Sequence, residues 1–232
     1  MSVSEIKQIP MDFSHRVAYG REDFLIAPSN QEAVQWIDMW PKWPAPALII
    51  YGDEASGKTH LSYVWQDRTG AQRIPANDLK DADFGRIFEC DKCVIIEDVC
   101  SYIGDREFET ALFHLYNMAK EEQAHILLTA SSVQSGWNFV IPDLRSRLCA
   151  APSVAIHEPD DVLLQSILVK LFSDRQLDIS IEVINYILPR TERSFRFIKR
   201  LVERADKIAL SEKKAVTIPV IRKAFESLAL ED

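Results

Sequence analysis

The sequence predicts an α/β fold, a mainly parallel sheet sandwiched by helices and followed by a small all-α unit, and three observations carry that expectation. Short unbroken apolar runs, ALIIY at 47–51, CVIIED at 93–98, AHILLTAS at 124–131 and SVAIH at 153–157, alternate with segments whose apolar residues recur at helical spacing. Strands covered on both faces read as such continuous runs. The first run leads straight into Gly52-Asp53-Glu54-Ala55-Ser56-Gly57-Lys58-Thr59, a glycine-bounded loop that opens the next helix. From Glu158 onward the runs give way to four helical patterns joined by short connections.

Residues 1–22 read as an extended tail with Pro10 and a short apolar cluster of Ile9, Met11 and Phe13. The α/β domain is expected over 23–157. Its first helix falls in SNQEAVQWIDMW (29–40), where Ser29 and Glu32 form a capping-box pattern and Ala33, Ile37 and Trp40 share a face. Pro41, Pro44 and Pro46 stop that helix before the first strand. KTHLSYVWQD opens a second helix, a short strand is expected around Ile74, and REFETALFHLYNMAKEEQ (106–123) carries a stripe of Phe108, Leu112, Leu115, Tyr116 and Ala119. The all-α unit spans 158–232, with helices expected in 160–175, 181–190, 192–211 and 218–230; Pro159 and Pro219 stand where a first-turn proline is tolerated. In a sheet of this kind ligands bind at the carboxyl ends of the strands.

With 47% hydrophobic and 27% charged residues the chain of 232 residues has the composition of a folded protein. A formal net charge of -8 argues against a main task of gripping nucleic acid by its phosphates and makes a protein the default partner. No apolar run of about 18 residues is present and MSVSEIKQIPMDF lacks the layout of a signal peptide, so a cytoplasmic protein is expected. Four cysteines, Cys90, Cys93, Cys100 and Cys149, fit a reducing compartment. Cys90 and Cys93 form a CxxC, yet no second pair or HxxxH completes a zinc set, and Cys93 also reads as the first residue of a buried strand.

The loop from Gly52 to Thr59 is a complete GxxxxGK[ST] pattern in the right context, strand before and helix after. Glycines let successive backbone N–H groups turn toward phosphates, Lys58 neutralises phosphate charge, and the Thr59 hydroxyl is available to Mg2+. ATP or ADP is therefore the expected ligand, held by Gly52, Asp53, Glu54, Ala55, Ser56, Gly57, Lys58, Thr59 and His60. At the end of CVIIED, Glu97 and Asp98 could hold the water shell of Mg2+ and polarise an attacking water, or simply end the strand as a solvated acidic pair.

The P-loop, the acidic strand end and the helical unit together resemble the AAA+ ATPases, and their flanks are similar to the DnaA/Hda family, its shorter Hda branch above all. That likeness makes the 23–157 region an AAA+ nucleotide-binding module and 158–232 its lid. DFLIAPSNQEA (23–33) looks like the family segment that helps enclose the adenine, with Asn30 at the matching Ser-Asn pair. HILLTASS (125–132) resembles the sensor I strand, although the usual polar residue near Ser131 or Ser132 is only a hydroxyl. PDLRSRL (142–148) resembles the box that supplies an arginine finger to a neighbouring subunit, which places Arg147 at the finger position and implies assembly; an ordinary surface arginine is the alternative. TERSFRFIKRLVERAD (191–206) looks like the lid helix bearing sensor II, with Arg193 matching the arginine that reaches the phosphates. Where the family has Asp then Glu or Asp at the strand end, this chain has Glu97 then Asp98, a departure that bears on hydrolysis.

Gln8-Ile9-Pro10-Met11-Asp12-Phe13 is similar to the glutamine-led motif by which replication proteins dock on the DNA polymerase sliding clamp. Gln8 would be the polar anchor, and Ile9, Met11 and Phe13 would fill an apolar groove. The family's initiator continues beyond its lid into a DNA-reading domain; this sequence ends at Asp232, so origin recognition is not expected. The resemblance implies a nucleotide-bound regulatory adaptor of replication initiation that is tethered to the clamp and promotes hydrolysis of DnaA-bound ATP through Arg147, with self-association and at most weak turnover of its own. An autonomous ATPase acting as a helicase loader or clamp-loader-like motor is the alternative. A third reading, DNA binding by Arg196, Lys199, Arg200 and Arg204 on the lid helix, competes with a plain solvated face.

Overall fold

A computed structural model of the chain describes residues 25–90 and 92–229, the side chains of Glu89 and Cys90 aside. The tail with Gln8, Ile9, Met11 and Phe13 lies outside the described residues. Five strands, β1 (Ala47–Tyr51), β2 (Gln72–Arg73), β3 (Cys93–Ile96), β4 (His125–Ala130) and β5 (Ser153–Ala155), form one sheet in the order β2-β3-β4-β1-β5 with every neighbouring pair parallel.

Alternation along these strands explains why both faces are apolar. Ala47 and Ile49 of β1, Val94 and Ile96 of β3, and Ile126 and Leu128 of β4 face α3 (Phe84–Cys90), α4 (Arg106–Glu121) and α5 (Pro142–Ala150). The residues between them, Leu48, Ile50, Cys93, Ile95 and Leu127, face α1 (Gln31–Asp38) and α2 (Lys58–Thr69), where Trp65 is fully buried. A sheet with helices on both sides is the α/β sandwich that the sequence predicts.

Four helices make the lid: α6 (Asp161–Ser173), α7 (Ile181–Ile187), α8 (Phe195–Glu212) and α9 (Ile218–Leu228). Side-chain caps fix three of their starts, with Asp160 accepting from Leu163 N, Ser180 from Val183 N and Ser194 from Phe197 N. Helix α8 buries Ile198, Leu201, Val202, Ala205 and Ala209, a stripe at helical spacing around which the lid core closes.

Three local expectations change. The capping box at Ser29 and Glu32 does not form; Asn30 takes the cap position of α1, and its side chain serves the preceding turn instead. Helices α3 and α5 stand where no helix is expected from periodicity, both being too short, at 7 and 9 residues, to repeat a stripe. Leu25 and Ala27, assigned by sequence to the α/β domain, pack into the lid cluster. No described helix is long and apolar enough to cross a membrane.

Candidate functional site

The P-loop joins the carboxyl end of β1 to α2. Its backbone must come very close to the strand-end segment after β5, since a Cβ on Gly52 would stand 2.2 Å from the Ile156 carbonyl oxygen. Gly57 caps α2 in the left-handed region at φ 108, with no side chain on the first-turn N–H groups. Those donors and the helix dipole face the loop, the arrangement that receives anions. Lys58 Nζ donates to the Gly52 and Asp53 carbonyls, both at 2.7 Å, curling over the loop it belongs to. Burial pulls the Lys58 pKa below the ordinary lysine value, against the opposing pull of Asp98, Asp53, Cys100 and Glu54. Ser56 is buried and its hydroxyl has no hydrogen-bond partner among the described residues, whereas Thr59 is exposed and His60 half-buried on the first turn of α2.

The lid reaches this loop through the start of α8. Phe195 lies beside Gly57, 3.5 Å from where a Cβ would be, and Arg196 Nη1 donates to Glu54 Oε1 at 2.7 Å. Arg193, the expected phosphate-facing arginine, instead pairs with Asp161 of α6 at 3.0 Å. Between Glu54 and the lid lies a cavity of about 340 Å³, lined by Glu54, Ala55, Glu192, Ser194, Arg196 and Phe197 among others. Asn30 is buried, its Oδ1 accepting from Ala27 N and its Nδ2 donating to Leu25 O, each at 2.9 Å; its amide shapes the 25–30 turn that links the sheet domain to the lid.

At the end of β3 the two acids part company. Asp98 is exposed, sits in the left-handed region at φ 52, and is held there by its N–H donating to Thr129 Oγ1 of β4 at 3.0 Å. Its carboxylate accepts from Ser101 Oγ at 2.8 Å and ranks first among the groups holding the Lys58 proton on. Glu97 turns the other way: Oε2 meets Arg73 Nη1 at 3.0 Å and Oε1 accepts from Ser62 Oγ at 3.0 Å. A magnesium ion needs oxygen ligands in near-octahedral array. Both Glu97 oxygens are already engaged, one by a guanidinium, so Glu97 as it stands does not fit the metal role that its place in the sequence implies. No cluster of three or more His, Cys, Asp or Glu that could hold a metal occurs among the described residues. Cys100 and Cys149 are free thiols.

Of the two serines that the resemblance matches to sensor I, Ser131 meets the Cys100 sulfur at 2.9 Å and Ser132 accepts from the Trp137 indole N–H. Arg147 lies on α5, its guanidinium 5.0 Å from the Phe113 ring centre and 5.6 Å from that of Tyr116, both on α4. Such cation–π seating orients the charge without neutralising it. Burial raises the Tyr116 pKa, with Arg147 opposing.

Sequence reasoning missed Arg73, Ser62 and Thr129, and weighed Arg196 only as part of a nucleic-acid or solvated face rather than as the lid's contact to the P-loop. Arg73 left a faint signal. It lies on β2, paired with Ile95 of β3, so Glu97 two residues on is its diagonal same-face neighbour.

The family model described as "Hda, lid domain" matches residues 161–225. An uncharacterized protein of Haemophilus influenzae is 29% identical over 189 residues, covering 77% of this chain and 80% of that protein. The chromosomal replication initiator protein DnaA of Spiroplasma citri is 24% identical, covering 92% of this chain and 54% of that one, so the chain spans about half of that relative's length. Among solved structures, domain III of the Thermotoga maritima replication initiation protein DnaA superposes with a TM-score of 0.75 at 18% identity, over 90% of this chain and 96% of that one. A replication initiator DnaA bound to AMPPCP and single-stranded DNA gives 0.70 at 21%, over 90% and 68%.

Proposed function

We propose that this chain, an Hda/DnaA-like AAA+ protein, is a nucleotide-bound regulatory adaptor of replication initiation rather than a motor driven by its own ATP turnover. ADP or ATP occupies the P-loop, where the N–H groups of α2 and Lys58 receive the phosphates and Arg196 approaches from the lid. Thr59 offers its hydroxyl to a magnesium ion, while Glu97 is withdrawn from that role by Arg73. Intrinsic hydrolysis is then weak, since Asp98 alone remains to orient a water.

The observation that carries the reading is the seating of Arg147. Its guanidinium is shelved on the α4 rings, with its charge available to the nucleotide of a neighbouring AAA+ subunit. An arginine finger given in trans stabilises transition-state charge on the neighbour's phosphate. DnaA is the proposed recipient, and Gln8, Ile9, Met11 and Phe13 dock the chain on the DNA polymerase sliding clamp, so the activity is coupled to clamp loaded on DNA. Self-association uses the same finger face.

Hydrolysis of DnaA-bound ATP is measured with clamp loaded on DNA, comparing this protein with Arg147→Ala. We expect stimulation that falls by about 1000-fold or more in the variant, the range a finger contributes, while nucleotide binding by the chain itself is unchanged. No stimulation, together with appreciable ATP turnover by this chain alone, would overturn the adaptor in favour of an autonomous ATPase.

A further inference from the structure

We infer that Arg73 is a built-in counter-cation for Glu97, so that a nucleoside diphosphate is held in the P-loop without help from a divalent metal. This rests on the nucleotide-binding reading above. A carboxylate at the end of β3 repels phosphates in the adjoining loop unless a cation stands with it. In this chain the cation is covalent. Arg73 Nη1 meets Glu97 Oε2 at 3.0 Å, and Ser62, one turn into the P-loop helix, donates to Glu97 Oε1 at 3.0 Å.

The guanidinium is fixed from several sides. Its Nη1 and Nη2 lie 3.2 and 3.1 Å from Ser62 Oγ, Nη2 donates to Gln66 Oε1 at 3.4 Å, and the Tyr63 ring centre lies 4.0 Å from Cζ. The side chains of Arg73 and Glu97 are only 21% and 30% exposed. Freeing Glu97 for a metal ion would strand a half-buried guanidinium, the costly way to break such a pair. Arginine stays protonated at every working pH, so the counter-charge is permanent. Lys58 supplies the positive charge on the phosphate side, and Glu97, already neutralised, adds no repulsion for a metal to offset.

ADP affinity is measured by calorimetry on the whole chain, once with magnesium and once with EDTA. We expect the wild-type dissociation constant to change less than threefold, and Arg73→Met to lose at least tenfold in EDTA and recover with magnesium. In the double variant Arg73→Met/Glu97→Gln, which leaves neither charge unpaired, indifference to EDTA should return; this variant keeps the test open if Arg73→Met alone folds poorly. A tenfold loss for the wild type in EDTA, or a double variant that needs magnesium, overturns the inference while leaving nucleotide binding intact. Absence of ADP binding in both buffers would instead sink the nucleotide reading on which it rests.

Discussion

The sheet domain and the lid are stabilised in different ways, and the difference locates the seam where a ligand can act. The sheet domain has a cluster on each face of strands whose central residues are wholly buried, whereas the lid closes a single cluster around α8. Between them run the exposed Arg196–Glu54 pair, the Phe195 contact at Gly57, and the 25–30 turn, which gives Ala27 to the lid core and a Ser29 carbonyl to His157 N. Each unit carries its own core, and the P-loop lies where few contacts cross. A phosphate ligand touching both sides would therefore shift their relative populations far more than it would alter either core.

Phe172→Ala should unfold the lid while sparing the sheet domain. Phe172 is fully buried in the lid cluster, and such truncations cost about 3–5 kcal/mol. Because the lid has no second layer, hydrogen exchange should accelerate through α6 to α9 while β1, β3 and β4 stay protected. Uniform acceleration across both units would show that they fold as one.

A smaller effect is expected from Glu109→Ala on the other side. Glu109 is wholly buried on α4, and its carboxylate accepts from the N–H groups of Gly104, Val140 and Ile141 at 2.7–3.0 Å. Removing it takes the shared acceptor from three part-buried N–H groups, at about 1–3 kcal/mol. Ile141 immediately precedes α5, so the loss should also loosen the helix that carries Arg147. Denaturant titration reads the first consequence; the second, under the proposed function, is reduced stimulation of DnaA-bound ATP hydrolysis with ADP affinity preserved. A variant of wild-type stability would mean that water replaces the carboxylate.

How much of this was legible beforehand follows from the same physics. Runs such as ALIIY and CVIIED show their burial in composition alone, and the P-loop announces itself because phosphate geometry fixes its spacing. The lid helices were equally readable from their helical patterns and short connections. Helix α5 was not, because PDLRSRLCA buries only Leu144 and Leu148 and leaves no stripe to detect. At the site, the identity of the loop was plain but the partners of its charges were not: that Glu97 meets Arg73, and that Arg196 rather than Arg193 meets Glu54, depends on strand pairing and on lid placement. The 25–30 turn crosses to the lid through Asn30, a residue whose amide could equally have faced a ligand.

Arg196 and Glu54 have side chains 69% and 86% exposed, so their pair should contribute no more than about 1 kcal/mol to stability, and salt should weaken it further. A double-mutant cycle with Arg196→Ala and Glu54→Ala, read by thermal unfolding without nucleotide, is expected to give a coupling within that limit. Ligand binding separates the two partners. Glu54→Ala removes a negative charge from the phosphate loop and releases Arg196, and should tighten ADP binding severalfold; Arg196→Ala removes a cation and should weaken it. Equal changes in both variants would mean that the pair acts as a neutral strut across the seam, while opposite changes would identify Arg196 as the lid residue that responds to phosphate.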